Sequence, residues 1–262
     1  MKVGLIGCGA IGTELAKFID DNKDMQLIGL ADIDEARINN LKKLLRNSQP
    51  ESLDMDSVIE KSELVIEAAS QKAAKELLIK IKDKEKKAMF MSTGGLIGSI
   101  ELLKNSKSGI YVPSGAVSGI DGVKAASIGK IKSVSLTTTK HPNGLKDAPY
   151  VKENNIDISA INKKKAIFKG NLEDAIKGFP QNINVAATLS IASNFKKLKV
   201  KIVADPNAKT NTHEIRIVGD AGKIKIKTEN VPSPANPKTS YLAVLSAIAT
   251  LKQITENARI GT

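Results

Sequence analysis

The stretch Lys2-Val3-Gly4-Leu5-Ile6-Gly7-Cys8-Gly9-Ala10-Ile11-Gly12 decides the fold of this chain. Its first part, KVGLI, is a short apolar run closed by glycine, the pattern of a strand buried on both faces of a parallel sheet. Beyond it Ile11, Leu15, Phe18 and Ile19 recur at helical spacing, so a helix follows at once. Between the two elements the glycines form G-x-G-x-x-G. Gly7 permits a tight turn, Gly9 lets backbone amides approach an anion, and Gly12 lets helix and strand pack closely. Cys8 inside this loop reads as a small filler rather than a reactive thiol.

Asp32 closes a second strand, QLIGLAD at 26–32, twenty residues past Gly12. Strand, glycine loop, helix and acidic residue in that order are the fingerprint of a dinucleotide-binding unit. The candidate cofactor contacts are therefore Gly7, Gly9, Ala10, Ile11 and Gly12, with the helix N-terminus supplying positive potential for phosphates. Asp32 is placed to accept from the adenosine ribose hydroxyls. Its charge repels a 2′-phosphate and favours NAD, while Arg37 in the next helix keeps NADP open.

Working outward, the alternation continues. Ile38, Leu41, Leu44 and Leu45 mark a second helix, 64–69 a third parallel strand, 72–81 a helix and 87–92 another strand. Strands separated by helices predict a doubly wound parallel sheet. Ala69 and Ser70, with Gly94 and Gly95, follow strand ends and should line its ligand crevice. From Ser133 the texture changes to period-two alternation, as in KVKIVADP, THEIRIVGD and GKIKIKTEN, the pattern of an antiparallel sheet with one wet face. Helices are expected at 172–178 and 183–193, a hairpin at 219–222, and a last helix from about Lys238 to Glu256 on a Leu242, Leu245, Ile248 and Leu251 stripe. The expected division is a Rossmann-type domain, 1–110, completed by 236–262, and a second α+β domain, 111–235, holding a mostly antiparallel sheet.

Composition bounds the function. The chain has 262 residues, 41% hydrophobic and 26% charged, and one cysteine. That is ample for a packed core, excludes an internal disulfide framework, and leads to the expectation of a reducing cytoplasm without membrane spans. The formal net charge of +12 raises the question of nucleic acid, but only Arg37, Arg46, Arg216 and Arg259 are arginines and tryptophan is absent. Lysines spread along a chain so poor in aromatics are not a nucleic-acid reader's pattern, so no nucleic-acid partner is expected.

Two histidines are available as a proton acceptor. His141 precedes Pro142-Asn143-Gly144 and belongs to an exposed turn. His213 shares a strand face with Ile215 and Ile217, which suits either a satisfied core histidine or a catalytic base. Small residues around Ala116, in VPSGAVSG at 112–119, would let backbone approach a nicotinamide closely. Asn182 and Asn184 could cap the following helix or bind a carboxamide. Lys238 and Thr239, in NPKTS at 236–240, could hold a substrate carboxylate or simply open a helix. Metal-ligand spacings are absent, so no metal is expected.

GCGAIG at 7–12, EAAS at 67–70, VPSGAVSGIDG at 112–122, FPQNINVAATL at 179–189, ADP at 204–206, NTHEI at 211–215 and NPKTSYLAVLSAI at 236–248 together resemble the L-aspartate dehydrogenase family. The resemblance spans nearly the whole chain in order; segment 143–165 carries no matching motif. It implies NAD(P)-dependent oxidation of L-aspartate to iminosuccinate, which hydrolyses to oxaloacetate and ammonia or feeds quinolinate and hence NAD biosynthesis. It also implies His213 as the catalytic histidine, nicotinamide contacts at Ala116 and at Asn182 or Asn184, and a homodimer. The rival readings are a dihydrodipicolinate-reductase-like or homoserine-dehydrogenase-like enzyme, and a non-catalytic NAD-sensing protein.

Overall fold

The computed structural model describes residues 1–180, 183–234, 236–258 and 260, without the side chains of Pro237 and Lys238. In its first part the chain runs through β1 (Lys2–Ile6), α1 (Ala10–Asp20), β2 (Gln26–Ala31), α2 (Glu35–Lys42), β3 (Glu51–Ser52), α3 (Met55–Lys61), β4 (Leu64–Glu67), α4 (Gln71–Ile81), β5 (Lys87–Phe90), α5 (Ile100–Lys104) and β6 (Gly109–Tyr111). The strands form one six-stranded sheet in the order β3-β2-β1-β4-β5-β6, every pair parallel. The order reverses direction beside β1, which makes the carboxyl ends of β1 and β4 the place where ligands of such sheets bind.

Apolar runs without alternation explain the central strands. Val3 and Leu5 of β1 and Leu64, Val65 and Ile66 of β4 are fully buried, as strands covered on both faces must be. β3 and β6 have two and three residues, too short to show a hydrophobic period. Leu44 is half exposed, because α2 ends at Lys42 and its buried side chains are Ile38 and Leu41.

The second part comprises α6 (Ile120–Ala126), β7 (Ile131–Lys140), α7 (Pro149–Glu153), β8 (Lys165–Asn171), α8 (Leu172–Gly178), α9 (Asn184–Ser193), β9 (Lys199–Ala204), β10 (Asn211–Gly219), β11 (Gly222–Asn230), β12 (Pro232–Ser233), β13 (Asn236–Ser240) and α10 (Tyr241–Thr255). A five-stranded sheet in the order β11-β10-β7-β9-β8 is antiparallel except for the β7–β9 pair. Val134, Leu136 and Thr138 of β7 and His213, Ile215 and Ile217 of β10 lie on its buried face, and lysines of β11 occupy exposed alternate positions. The aromatic rings of Tyr150, Phe168 and Phe179 pack together, with centroids 5.2–5.4 Å apart, and tie α7 and α8 to β8.

The chain divides into two units, Met1–Pro113 with the segment from Val244, and Ser114–Ala243. The limits fall at 113/114 and 243/244 where 110/111 and 235/236 were expected, and the second moves because residues 236–240 are extended, not helical: β13 pairs antiparallel with β12. The last helix therefore starts at Tyr241. Its buried residues are Val244, Ala247 and Leu251, with Leu245 outward at 42% exposure, and Ala247 and Leu251 join the core formed by β1, β2, β4 and α1. Each fully buried leucine there contributes about 1.5–3 kcal/mol.

Candidate active site

In the first unit the glycine loop is shaped as its sequence requires. Gly7 has φ +100°, and a Cβ there would lie 2.6 Å from the Ala68 backbone. A Cβ on Gly12 would meet the Gly7 carbonyl oxygen at 1.9 Å. Gly9 faces open space, with nothing within 4 Å of where a Cβ would stand. Gly9 is also the N-cap of α1, where no side chain caps the helix and no acidic residue occupies the first turn. Ala10 and Ile11 begin that helix. Open approach and uncapped amides in a first turn that carries no carboxylate are what a diphosphate needs, so these residues fit the dinucleotide.

Asp32 is held rigidly. One carboxylate oxygen accepts from the Cys8 amide at 2.7 Å and the other from the Asp34 amide at 2.9 Å. A carboxylate has about four acceptor directions, which leaves room for two ribose hydroxyls. Arg37 lies 3.4 Å from Asp34 in an exposed ion pair. Burial pushes the Cys8 thiol up to about 12, so it is inert filler in the loop.

At the end of β4 the structure shows a residue the sequence reading passed over. Glu67 is fully buried and its carboxylate accepts from the amides of Ala69, Ser70 and Ser92 and from the Ser92 hydroxyl, at 2.8–3.0 Å. Burial pushes its carboxyl up, and those donors oppose the shift. It ties together the two loops that carry Ala69, Ser70, Gly94 and Gly95. Ala69 and Ser70 are exposed, and Ser70 caps α4 through Ala73. The signal was an acidic residue at the end of an otherwise apolar strand.

In the second unit His213 is buried, 5% exposed, and its Nδ1 lies 2.9 Å from Thr138 Oγ1. Strand register causes this, since His213 pairs with Thr138 on β7 and with Thr228 on β11. Thr228 in turn accepts from the Ser118 amide at 3.3 Å, and the Ser118 hydroxyl lies 3.1 Å from the same oxygen. Buried Asn230, also unmarked in the sequence reading, donates to the Ala116 carbonyl at 2.9 Å and accepts from Ser240 Oγ at 2.5 Å. These bonds bring the 116–118 segment and the end of β13 to the edge of the row that carries His213. Burial, with the Lys140 charge second, pulls His213 down to about 3, so its imidazole is neutral at neutral pH.

The other candidates are placed differently. His141 is exposed and its Nδ1 accepts from the Asn143 amide. Asn184 is the first residue of α9, and the N-cap is Ile183 without a side-chain cap, so Asn184 is not the cap. Thr239 lies within β13, which rules out a carboxylate site built on helix amides at 236–240. Asn182 and the Lys238 side chain lie outside the described residues.

Comparison with known proteins follows the same division. Residues 7–109 match a family model described as the NAD binding domain of homoserine dehydrogenase, and 121–254 match the C-terminal domain of aspartate dehydrogenase. The chain is similar to the L-aspartate dehydrogenase of Methanococcoides burtonii, 44% identical with both chains fully covered, and to that of Methanococcus maripaludis, 41% identical over the same extent. Among solved structures it resembles aspartate dehydrogenase from Thermotoga maritima, 29% identical, with a TM-score of 0.77 and coverage of 100% and 99%. A hyperthermophilic archaeal homoserine dehydrogenase, 12% identical with a TM-score of 0.59, shares the fold. The Rossmann-type unit and its companion sheet thus define an NAD(P)-dependent dehydrogenase. Within that class, the chain belongs to the aspartate dehydrogenase family.

Proposed function

We propose that this chain oxidises L-aspartate to iminosuccinate with NAD, or NADP in its place, and that His213 is the base. The observation that carries the mechanism is the buried His213–Thr138 pair, and a full-length relative at 44% identity named L-aspartate dehydrogenase supplies the substrate. When bound, the cofactor supplies the two-electron acceptor for the hydride that leaves Cα. The chain's residues do the rest. With Thr138 Oγ1 accepting from Nδ1–H of His213 in this reading, Nε2 keeps a free lone pair. Nε2 takes a proton from the substrate ammonium as the Cα–N bond becomes C=N. An imidazole held neutral by burial is always available as an acceptor. Its low basicity rises when the anionic substrate lies beside it, because nearby negative charge favours the imidazolium.

In the same reading Gly7, Gly9, Ala10, Ile11 and Gly12 receive the diphosphate, and Asp32 the adenosine ribose. Ala69 and Ser70 are assigned to the cofactor, Ala116 and one of Asn182 and Asn184 to its nicotinamide, and Thr239 and Lys238 to the substrate. The enzyme works as a cytoplasmic homodimer and its product feeds NAD biosynthesis. The single reduced cysteine and family membership support this. None of the described helices is long and apolar enough to cross a membrane.

The test is NADH formation from purified protein, NAD and L-aspartate, with L-glutamate, L-alanine, L-homoserine and D-aspartate in parallel and NADP in a second set. Turnover restricted to L-aspartate is expected. His213→Ala should lower kcat by about 10²–10⁴-fold with NAD affinity unchanged. Silence with L-aspartate, or wild-type kcat in the mutant, overturns the reading.

A further inference from the structure

Two acidic residues stand at the ends of the strands that flank β1. Asp32 follows β2 and Glu67 closes β4, and each accepts backbone amides from loops at the carboxyl edge of the sheet. Asp32 keeps acceptor directions open beside the glycine loop. Glu67 keeps none. It is fully buried, and its two oxygens take the amides of Ala69, Ser70 and Ser92 and the Ser92 hydroxyl, which fill the roughly four acceptor directions of a carboxylate. A ligand cannot touch it, so its effect on one passes through the loops it holds.

Those loops are packed without slack. A Cβ on Gly7 would lie 2.6 Å from the backbone of Ala68 and Ala69, and a Cβ on Gly95 would lie 2.1 Å from the Gln71 carbonyl oxygen. The backbones that follow β1, β4 and β5 are therefore in direct contact, and the Glu67 carboxylate binds the last two together. The peptide units are trans, so each carbonyl points opposite to its N–H. With the Ala69 and Ser70 amides turned to Glu67, the carbonyls of Ala68 and Ala69 point away from it. Ala69 and Ser70 themselves are exposed.

A dinucleotide crossing this sheet has a fixed direction. Its adenosine lies on the β2 side, at Asp32, and its diphosphate at the start of α1. The remaining half then runs over the ends of β4 and β5. We infer that Glu67 is a positioning residue for the nicotinamide half of the cofactor: by taking the amides of Ala69, Ser70 and Ser92 it fixes the exposed turn at 69–70 and presents the Ala69 carbonyl as an acceptor for the nicotinamide-side ribose hydroxyls. This assignment rests on Ala69 and Ser70 as cofactor contacts and is independent of which amino acid is oxidised.

The test compares NAD with ADP, which keeps the adenosine and diphosphate and lacks the second ribose and the nicotinamide. Both are titrated calorimetrically into full-length wild type and Glu67→Gln. Glutamine keeps the shape but offers one acceptor oxygen, and its NH₂ group faces a donor. The NAD Kd should rise about 10-fold while the ADP Kd stays within about twofold. A general loss of structure would weaken both nucleotides together. A second measurement needs no variant: in wild-type NMR spectra the Ala69 and Ser70 amide resonances should move far more with NAD than with ADP. Unchanged NAD affinity in Glu67→Gln, equal weakening of NAD and ADP, or amides that respond alike to both nucleotides overturns the assignment. A wild type that binds NAD no better than ADP overturns it together with the cofactor role of Ala69 and Ser70, whereas tight NAD binding indifferent to Glu67 overturns it alone.

Discussion

Thr138 Oγ1 sits 2.9 Å from Nδ1 of His213, and both residues are buried on paired positions of adjacent antiparallel strands. Strand register holds the ring in one orientation, and since a threonine hydroxyl can donate or accept, the proposed mechanism calls for the tautomer with Nδ1–H bonded to Thr138. Thr138→Val keeps the shape and removes the hydroxyl. A buried hydrogen bond contributes about 1–2 kcal/mol, so kcat should fall roughly 10-fold while the KM for NAD stays put. Nitrogen NMR of His213 should show Nδ1–H in the wild type and a tautomer mixture in the mutant. Unchanged kcat and unchanged tautomer would show that another group sets the ring.

Two glycines in one loop should respond oppositely to the same substitution. Gly9→Ala meets open space at an ordinary φ of −76°, so thermal stability should hold to within about 0.5 kcal/mol. The methyl group nonetheless occupies the surface offered to the diphosphate, and NAD affinity should drop about 10-fold or more. Gly12→Ala drives a Cβ into the Gly7 carbonyl and should cost about 1–3 kcal/mol of stability. Thermal melts with and without NAD distinguish the two, and a Gly9→Ala protein with native NAD affinity would remove Gly9 from the phosphate site.

Asp32 holds two backbone amides in addition to its expected ribose role. Asp32→Asn removes the charge and turns one donor amide toward another donor. Charge-assisted hydrogen bonds contribute about 1.5–3 kcal/mol, so the preference for NAD over NADP should shrink about 10-fold or more, with some loss of melting temperature. Steady-state KM values for both nucleotides check this. An unaltered preference would shift cofactor selection to Arg37 and its neighbours.

The buried histidine makes stability depend on pH. His213 is drawn down to about 3 from an ordinary value of 6.5. Between those values the unfolded chain binds a proton that the folded chain refuses. Stability from this group is therefore fully present above pH 6.5 and is lost as pH falls toward 3, by about 1.4 kcal/mol per unit and about 5 kcal/mol in all. His213→Asn should flatten the stability curve between pH 4 and 6 by about that slope, as read from denaturant unfolding. Parallel curves for wild type and mutant would contradict the burial-driven shift.

The glycine loop and the central strands of the first unit were legible residue by residue. G-x-G-x-x-G with Asp32, and apolar runs such as LVIE at 64–67, encode their structure locally, because a buried parallel strand and a phosphate loop each depend on a few consecutive residues. Period-two alternation announced the second sheet in the same way. NPKTS misled, since its proline and small polar residues fit a helix start as well as the strand that pairing with Pro232–Ser233 makes of it.

Sequence by itself determined the order of the longer elements, the dinucleotide fingerprint and the short list of two histidines. Tertiary structure alone decided what holds the buried histidine and what surrounds it. Thr138, Thr228 and Asn230 stand far from His213 or from Ala116 in the chain, and each reaches its partner through strand register or a long-range hydrogen bond. Glu67 is the same case within the first unit, one carboxylate gathering amides from two strand ends. Local sequence sets a residue's tendency toward helix or strand, but nonlocal pairing across a sheet sets its neighbours, and neighbours set charge, proton affinity and chemistry.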